Sequence, residues 1–195
     1  MLEFAAKNHV KISRKMTETN HSRRARGTRG RTTPETQQPR TMESQMTTSV
    51  NTIHVHLTQQ HDYQFSVEFG GAVPPLLADE PPPLGNGAGP SPVQLLAGAV
   101  GNCLADSLLF AFRKFKQQPE PITCDVQANV GRNDSGRLRV LSMQATLTLG
   151  VAGQQLEHVE RVLAQFEAFC TVTQSVGAAF PIEIQVVDVE GKRWK

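Results

Sequence analysis

The sequence predicts an α+β fold in which strands and a second helix surround one apolar helix. Three observations support this prediction. Residues 92–116 form a capped and almost uncharged helical segment, several flanking segments alternate apolar and polar residues as strands do, and residues 154–169 repeat apolar residues at helical spacing. Because both helices have apolar faces to bury, we expect them to pack on the same small sheet.

The central helix has a clear start signal. Ser91 is a good N-cap residue, and Pro92 suits the first helical position, where a missing N–H costs nothing. Between residues 93 and 112 the only charged residue is Asp106, so apolar side chains occur on every face. A helix of this kind is buried on all sides or crosses a membrane. Polar residues interrupt the apolar run, and crossing needs about 20 mostly apolar residues, so we expect a core helix and no membrane span.

The charge of the chain is divided between two unlike parts. Residues 1–48 hold ten Lys or Arg and four Asp or Glu, a balance of +6, whereas the other 147 residues hold ten and fourteen, a balance of −4. The first part lacks apolar periodicity, so we expect residues 1–48 to be a disordered basic tail ahead of a domain at 49–195. Its arginine run at 23–31 could bind nucleic acid or resemble an organelle transit peptide. We favour a dispensable extension or an over-long gene model, and we expect no nucleic-acid partner.

Alternation predicts strands ahead of the central helix. A half-buried strand at 51–58 is joined by a short polar turn to a second strand at 63–69, which makes a hairpin. Residues 76–79 could form a short third strand, and the proline-rich loop 79–86 then leads stiffly toward the helix. The apolar side of the first strand comprises Ile53, Val55 and Leu57.

Three histidines lie at this hairpin. His54 and His56 share one face of the first strand, and His61 lies in the turn. No carboxylate or thiol at ligand spacing joins them, so we interpret them as solvent-facing residues and expect no metal site. Nothing in the sequence indicates a cofactor.

After the central helix, alternation predicts a second hairpin. Cys124 lies on the apolar face of a strand at 122–130, so we interpret it as a core residue. The partner strand covers 138–149. Its alternation slips by one residue between Val140 and Leu141, which predicts a β-bulge.

The other two cysteines stand on or next to the predicted helices. Cys103 lies in the middle of the central helix, and Cys170 follows the amphipathic helix at 154–169, ahead of a last strand at 182–189. An odd number of cysteines without disulfide-framework spacing indicates a reducing compartment, so we expect a cytoplasmic protein. A free cysteine in an apolar helix is most often a packing residue. If the fold brings the two thiols within disulfide reach, they could instead cycle through sulfenic acid and a disulfide.

Three stretches carry a family resemblance. They are Asp-Glu-Pro-Pro-Pro-Leu-Gly-Asn at 79–86, Gly-Pro-Ser-Pro-Val-Gln-Leu-Leu-Ala-Gly-Ala-Val-Gly-Asn-Cys at 89–103, and Phe-Cys-Thr-Val-Thr-Gln-Ser-Val at 169–176. Together they resemble the OsmC/Ohr family of osmotically induced and organic-hydroperoxide-resistance proteins. The likeness extends over residues 50–190 in order, spacing and strand and helix pattern.

The resemblance implies both a fold and an activity. The implied OsmC-like fold is an α/β sandwich whose antiparallel sheet wraps around the buried central helix, assembled as an intertwined homodimer. In the peroxidase branch, Cys103 would attack an organic hydroperoxide and Cys170 would resolve it to a disulfide, as part of an oxidative-stress response. A dithiol such as a lipoylated protein or thioredoxin would then reduce that disulfide.

Two departures from the family pattern leave a second function open. The peroxidases have a glutamate ten residues before the first cysteine that holds an arginine against the thiolate, but this chain has Val93 there and no Lys or Arg in residues 47–112. A nucleophilic thiolate needs a nearby cation, and Asp106 would repel it if it faces the sulfur of Cys103. A substitute cation would have to come from the hairpin histidines, from beyond position 113 or from a dimer partner. The alternative is a non-peroxidase OsmC-like protein that binds a small or hydrophobic ligand in the dimer cleft.

Overall fold

The computed structural model describes residues 50–195, which form two three-stranded sheets and one long helix. This arrangement confirms the predicted α+β class. The predicted tail at 1–48 lies outside the described residues. In chain order the elements are β1 (His56–His61), β2 (Gln64–Glu68), β3 (Leu76–Ala78), α1 (Pro92–Lys114), β4 (Thr123–Arg132), β5 (Leu138–Thr148), a 3₁₀ turn (Gly153–Gln155), α2 (Val159–Leu163), a second 3₁₀ turn (Phe166–Phe169), α3 (Thr171–Val176) and β6 (Ile182–Val187).

The first sheet has the antiparallel order β1-β2-β3. The predicted hairpin and the short third strand are confirmed, but the first strand begins at His56, and the expectation of a half-buried face on it is wrong for the single chain. Ile53 and Leu57 are 78% and 55% exposed. β1 is also the edge strand of its sheet and pairs with β2 alone.

The loop between β3 and α1 is organised by the buried carboxylate of Asp79. Asp79 accepts hydrogen bonds from Gln64 Nε2 at 3.1 Å and from the backbone N–H groups of Glu80, Asn86 and Ala88 at 2.8–3.1 Å. The bond from Ala88 is the largest of the effects that lower the pKa of Asp79. These bonds fold the proline-rich segment back on itself, so it delivers the chain to the start of α1.

Helix α1 begins as the sequence predicts. Ser91 and Gln94 form a capping box, in which Gln94 N donates to Ser91 Oγ at 3.4 Å and Ser91 N donates to Gln94 Oε1 at 2.8 Å. The helix is long and apolar enough to cross a membrane by length and composition. It packs against β4, β5 and the helical segments that follow them, so it is the core helix of this domain. Its buried residues are Val100, Gly101, Leu104, Ser107, Leu108, Ala111 and Phe112.

The second sheet has the order β4-β5-β6. Asn129 pairs with Ser142 and Val130 pairs with Val140, so Leu141 is the extra residue of the predicted bulge. Strands β4 and β5 are antiparallel, as expected, but β6 runs parallel to β5. A parallel neighbour requires a long crossover, and the helical segments between β5 and β6 supply it.

The predicted amphipathic helix at 154–169 is wrong as a single helix. It consists of two 3₁₀ turns with α2 between them, because His158 adopts left-handed backbone angles (φ 60°) and Gln165 leaves the helical region (φ −123°). Most of the apolar positions are still buried, because the successive turns pack on the same core, whereas Phe169 is 41% exposed. The buried positions include Val159, Val162, Leu163 and Phe166.

The C-terminus is fastened by Asp188, which is buried. Its carboxylate accepts hydrogen bonds from Gly153 N at 3.0 Å and Trp194 Nε1 at 2.8 Å, and from the backbone N–H groups of Glu190 and Lys192. These bonds lower the pKa of Asp188 to about 2, and the bond from Gly153 has the largest effect. The last residues are therefore tied to the turn that begins the crossover to β6.

Candidate active site

Cys103 opens on a cavity at the surface of α1. Its side chain is half-buried, and the cavity has a volume of about 380 Å³. Helical spacing places the lining residues of α1 one and two turns after Cys103 on the same side. The lining residues are Cys103, Asp106, Ser107, Phe110 and Phe169.

Cys170 lies behind that cavity and is fully buried. It follows the 3₁₀ turn Phe166–Phe169 and is the N-cap residue of α3. Its sulfur makes two hydrogen bonds with one residue: Sγ donates to Thr173 Oγ1 at 2.9 Å and accepts from Thr173 N at 3.4 Å. The side chain of Cys170 is thereby held in one orientation.

The two thiols are neighbours although 67 residues separate them in the chain. Helix α1 packs against both the 3₁₀ turn and α3, which carry Cys170. Burial is the main cause that raises the pKa of Cys170, the adjacent thiol of Cys103 raises it further by hydrogen bonding, and the bonds from Thr173 oppose the shift. Both cysteines are free thiols. The structure thus places a reachable thiol beside a buried one.

Two aromatic rings line the cavity, and one cation lies against them. The rings of Phe110 and Phe169 meet edge to face, with centroids 5.5 Å apart. Lys114 Nζ lies 5.0 Å from the centroid of Phe110 and 4.5 Å from that of Phe169. Both distances suit a cation–π interaction, so the positive charge of Lys114 is held against the two rings that line the cavity.

A carboxylate lies on the same cavity. Asp106 lines it, and Asn102 Nδ2 donates a hydrogen bond to Asp106 Oδ2 at 3.1 Å. The two residues are one helical turn apart on the exposed side of α1. Asp106 therefore borders the same space as Cys103.

Cys124 belongs to the packing of α1 and not to this cavity. It lies on β4, packs against the core and faces Gly101, as predicted for a strand residue of the core. Burial first, and then the charge of Asp125, raises the pKa of Cys124 to about 11. Such a thiol is protonated at neutral pH and is a poor nucleophile.

One protein-family model matches this chain. The model of the family "OsmC-like protein" matches residues 85–185, which is just over half of the chain. The chain belongs to the OsmC-like protein family. No curated protein gave a significant match.

Solved structures have the same fold as this OsmC-like protein. An OsmC-like protein of unknown function from Vibrio cholerae is 18% identical, with a TM-score of 0.59 over 71% of this chain and 100% of that one. An organic hydroperoxide resistance protein, OsmC, from Legionella pneumophila is 14% identical (TM-score 0.55, 71% and 98%). The organic hydroperoxide resistance protein OhrB of Bacillus subtilis is 13% identical (TM-score 0.54, 71% and 99%). At these identities the likeness establishes the shared fold.

Two features noted in the sequence can be located in the structure of this OsmC-like protein. Val93 stands half-buried in the first turn of α1. Within residues 50–195, none of the hairpin histidines lines the cavity of Cys103, and Lys114 contacts two of its lining rings without lining it. Lys114 lies beyond position 113, which is one of the sources that the sequence left open for a substitute cation. In the described part of the chain, no three His, Cys, Asp or Glu side chains are grouped to bind a metal.

Several residues of this OsmC-like site were not identified from the sequence. Ser107 and Phe110 lie at four and seven positions after Cys103, a spacing that could have placed them on the same helical face. Thr173 lies three positions after Cys170, and this spacing brings the two residues together because α3 is a helix. That helix has no apolar pattern of its own by which the sequence could predict it. Phe169 ends the segment that the sequence predicts as one helix, and in the structure it lines the cavity.

Proposed function

We propose that this protein is a two-cysteine thiol peroxidase that reduces organic hydroperoxides, with Cys103 as the attacking residue and Cys170 as the resolving residue. The observation that supports it best is the pairing of two free thiols, one open to a cavity and the other buried beside it. The names of relatives such as the B. subtilis and L. pneumophila proteins, which refer to organic hydroperoxide resistance, are consistent with this substrate class.

The proposed reaction has three steps. The Cys103 thiolate attacks the terminal oxygen of the hydroperoxide, an S–O bond forms as the O–O bond breaks, and the departing alkoxide takes a proton to become the alcohol. The Cys170 thiol then attacks the sulfur of the Cys103 sulfenic acid, and water leaves as the disulfide forms. An external dithiol, for which a lipoylated protein or thioredoxin is suitable, returns two electrons and releases both thiols.

The geometry indicates which sulfur the dithiol attacks. Cys170 has no exposed surface, whereas Cys103 lines an open cavity. A dithiol therefore forms its mixed disulfide with Cys103, and Cys170 is the leaving thiolate. A reductant of this kind is available in a reducing compartment, so the proposal includes a cytoplasmic location.

Intact-mass measurement after treatment with cumene hydroperoxide tests this function. We expect the protein to lose two hydrogen atoms, Cys103→Ser to remain unchanged, and Cys170→Ser to accumulate a sulfenic acid that dimedone traps. Cys124→Ser is the matched control and should behave as the unmodified protein does. An unchanged mass in the wild-type chain, or full turnover by Cys103→Ser, would falsify the proposal.

A homodimer is part of the same proposal. Apolar side chains of the first sheet are uncovered in the single chain, and an apolar cavity of about 240 Å³ separates β2 from the start of α1. A second copy that packs there would bury this surface. Sedimentation analysis should give a dimer that Leu57→Asp weakens, whereas Thr58→Asp, on the other side of β1, should have little effect. A monomeric wild-type chain contradicts this part.

A second candidate function is ligand binding without peroxide chemistry. It is favoured by Val93 in place of the peroxidase glutamate and by the apolar cavity at the first sheet, which is lined by Leu57, Tyr63, Phe65, Val67 and Leu95 among others. Native mass spectrometry of the purified protein would detect a retained small apolar molecule. This function is supported if such a ligand is present and Cys103 reacts no faster with hydroperoxide than an ordinary thiol does.

A further inference from the structure

We infer that Thr173 is a positioning residue that orients the Cys170 sulfur for its attack on Cys103. The inference rests on the proposed pairing of the two cysteines. It concerns only the step in which Cys170 forms a bond to a sulfur atom of Cys103.

The first argument is the pair of hydrogen bonds at the Cys170 sulfur. Its thiol proton points to Thr173 Oγ1 at 2.9 Å, and the Thr173 N–H points to the sulfur at 3.4 Å. Thr173 is itself buried, so both bonds are shielded from bulk solvent. Two contacts from one residue fix the direction of the thiol proton and occupy one sulfur lone pair, so the rotation of the thiol is restricted and the other lone pair is left for the attack.

The second argument is the protonation that the attack requires. Burial raises the pKa of Cys170, whereas the two bonds from Thr173 are the effects that lower it. When Cys170 loses its proton, the Thr173 hydroxyl can rotate and donate to the thiolate, as the N–H already does. A charge-assisted hydrogen bond is stronger than a neutral one, so the hydroxyl favours the reacting form.

The step is balanced without any further reactant. The Cys170 sulfur forms a bond to the Cys103 sulfur, the bond between Cys103 and its leaving group breaks, and the Cys170 proton goes to the departing group or to solvent. With a sulfenic acid at Cys103 the departing group is hydroxide, which leaves as water. With a mixed disulfide at Cys103 it is an aryl thiolate.

The experiment uses Ellman's reagent, 5,5′-dithiobis(2-nitrobenzoate), on the full chain carrying Cys124→Ser. The first thionitrobenzoate released reports the reaction of Cys103, and the second reports the attack of Cys170 on the resulting mixed disulfide. We expect Thr173→Val to leave the first phase unchanged and to slow the second roughly tenfold or more, since a hydrogen bond to a charged group is lost. Thr173→Ser, which keeps the hydroxyl, should restore most of the second rate.

Thr171→Val is the matched control, because Thr171 is an exposed threonine two positions away and should leave both phases unchanged. Equal second phases in the Thr173→Val and wild-type chains would overturn the inference, as would the absence of a second phase in the wild type. Failure of the peroxidase function gives a different result. In that case the second phase with Ellman's reagent still depends on Thr173, while cumene hydroperoxide leaves Cys103 unmodified.

Discussion

Phe110 of the core helix and Phe169, the residue before Cys170, meet edge to face with their ring centroids 5.5 Å apart. This contact joins the two parts of the chain that carry the paired thiols. It also forms one wall of the cavity in front of Cys103. Its integrity therefore affects both the stability of the domain and the access of a ligand to the sulfur.

A double-mutant cycle on Phe110→Ala and Phe169→Ala measures this contact. We expect a coupling free energy of about 0.5–1.5 kcal/mol, which is typical of an aromatic pair beyond its burial. Urea unfolding of the wild type, both single variants and the double variant gives the value. Purely additive effects would mean that the two rings do not interact in solution.

Asp106→Asn should accelerate the reaction of Cys103 with an alkyl hydroperoxide. The carboxylate lines the same cavity and repels a thiolate and a developing alkoxide, and at a separation of one helical turn the effect is roughly threefold or more. Stopped-flow measurement of sulfenic acid formation tests this. Asn102→Ala is the control, because it removes the hydrogen bond to Asp106 but retains the charge. A slower Asp106→Asn reaction would instead assign Asp106 a supporting role.

Gly101→Ala tests the close approach of α1 to β4. A methyl group at Gly101 would lie 2.9 Å from Val126 Cγ2, and Val126 is stiff at χ1. Overpacking costs about 1–3 kcal/mol, against a gain of about 1 kcal/mol from the helix propensity of alanine. We expect a net loss of about 1 kcal/mol in the free energy of unfolding.

The same substitution in a Val126→Ala background is the matched comparison. Because the clashing methyl group is absent there, Gly101→Ala should become neutral or stabilising. An identical cost of Gly101→Ala in both backgrounds would show that the clash does not occur.

Stability should fall in acid through Asp188. Its folded pKa, about 2, lies below the ordinary value of 3.8, so its hydrogen bonds stabilise the domain fully above the ordinary value. This contribution is lost as the pH falls from near 3.8 toward 2. The urea midpoint of Asp188→Asn should therefore be lower than that of the wild type at neutral pH and should change less across this window. Asp134→Asn, at an exposed turn, is the control, and its urea midpoint should depend on pH as that of the wild type does.

Local patterns predicted most of the fold. The N-cap at Ser91, the apolar run of α1 and the slip between Val140 and Leu141 are properties of neighbouring residues, and each is present where the sequence indicated. The prediction of one continuous helix at 154–169 is wrong, although it rested on local patterns of the same kind. Apolar residues at helical spacing reach one core equally well from a continuous helix or from successive short turns, and periodicity does not distinguish the two.

The exposure of the apolar side of β1 also could not be predicted from local sequence patterns. Alternation at 51–58 identifies which side chains share a face, but what covers that face is a property of the whole assembly. In the single chain Ile53 and Leu57 face solvent. Their exposure is the strongest structural argument for the proposed second copy.

The sequence by itself determined the family, the core helix and the two cysteines worth testing, because motifs and periodicity are read from neighbouring positions. Only the tertiary structure decided that Cys103 and Cys170 are neighbours, that one is open and the other buried, and that Thr173 holds the buried sulfur. These relationships join residues up to 67 positions apart. They depend on the path of the crossover between β5 and β6, which packs its turns against α1 and which no local pattern specifies.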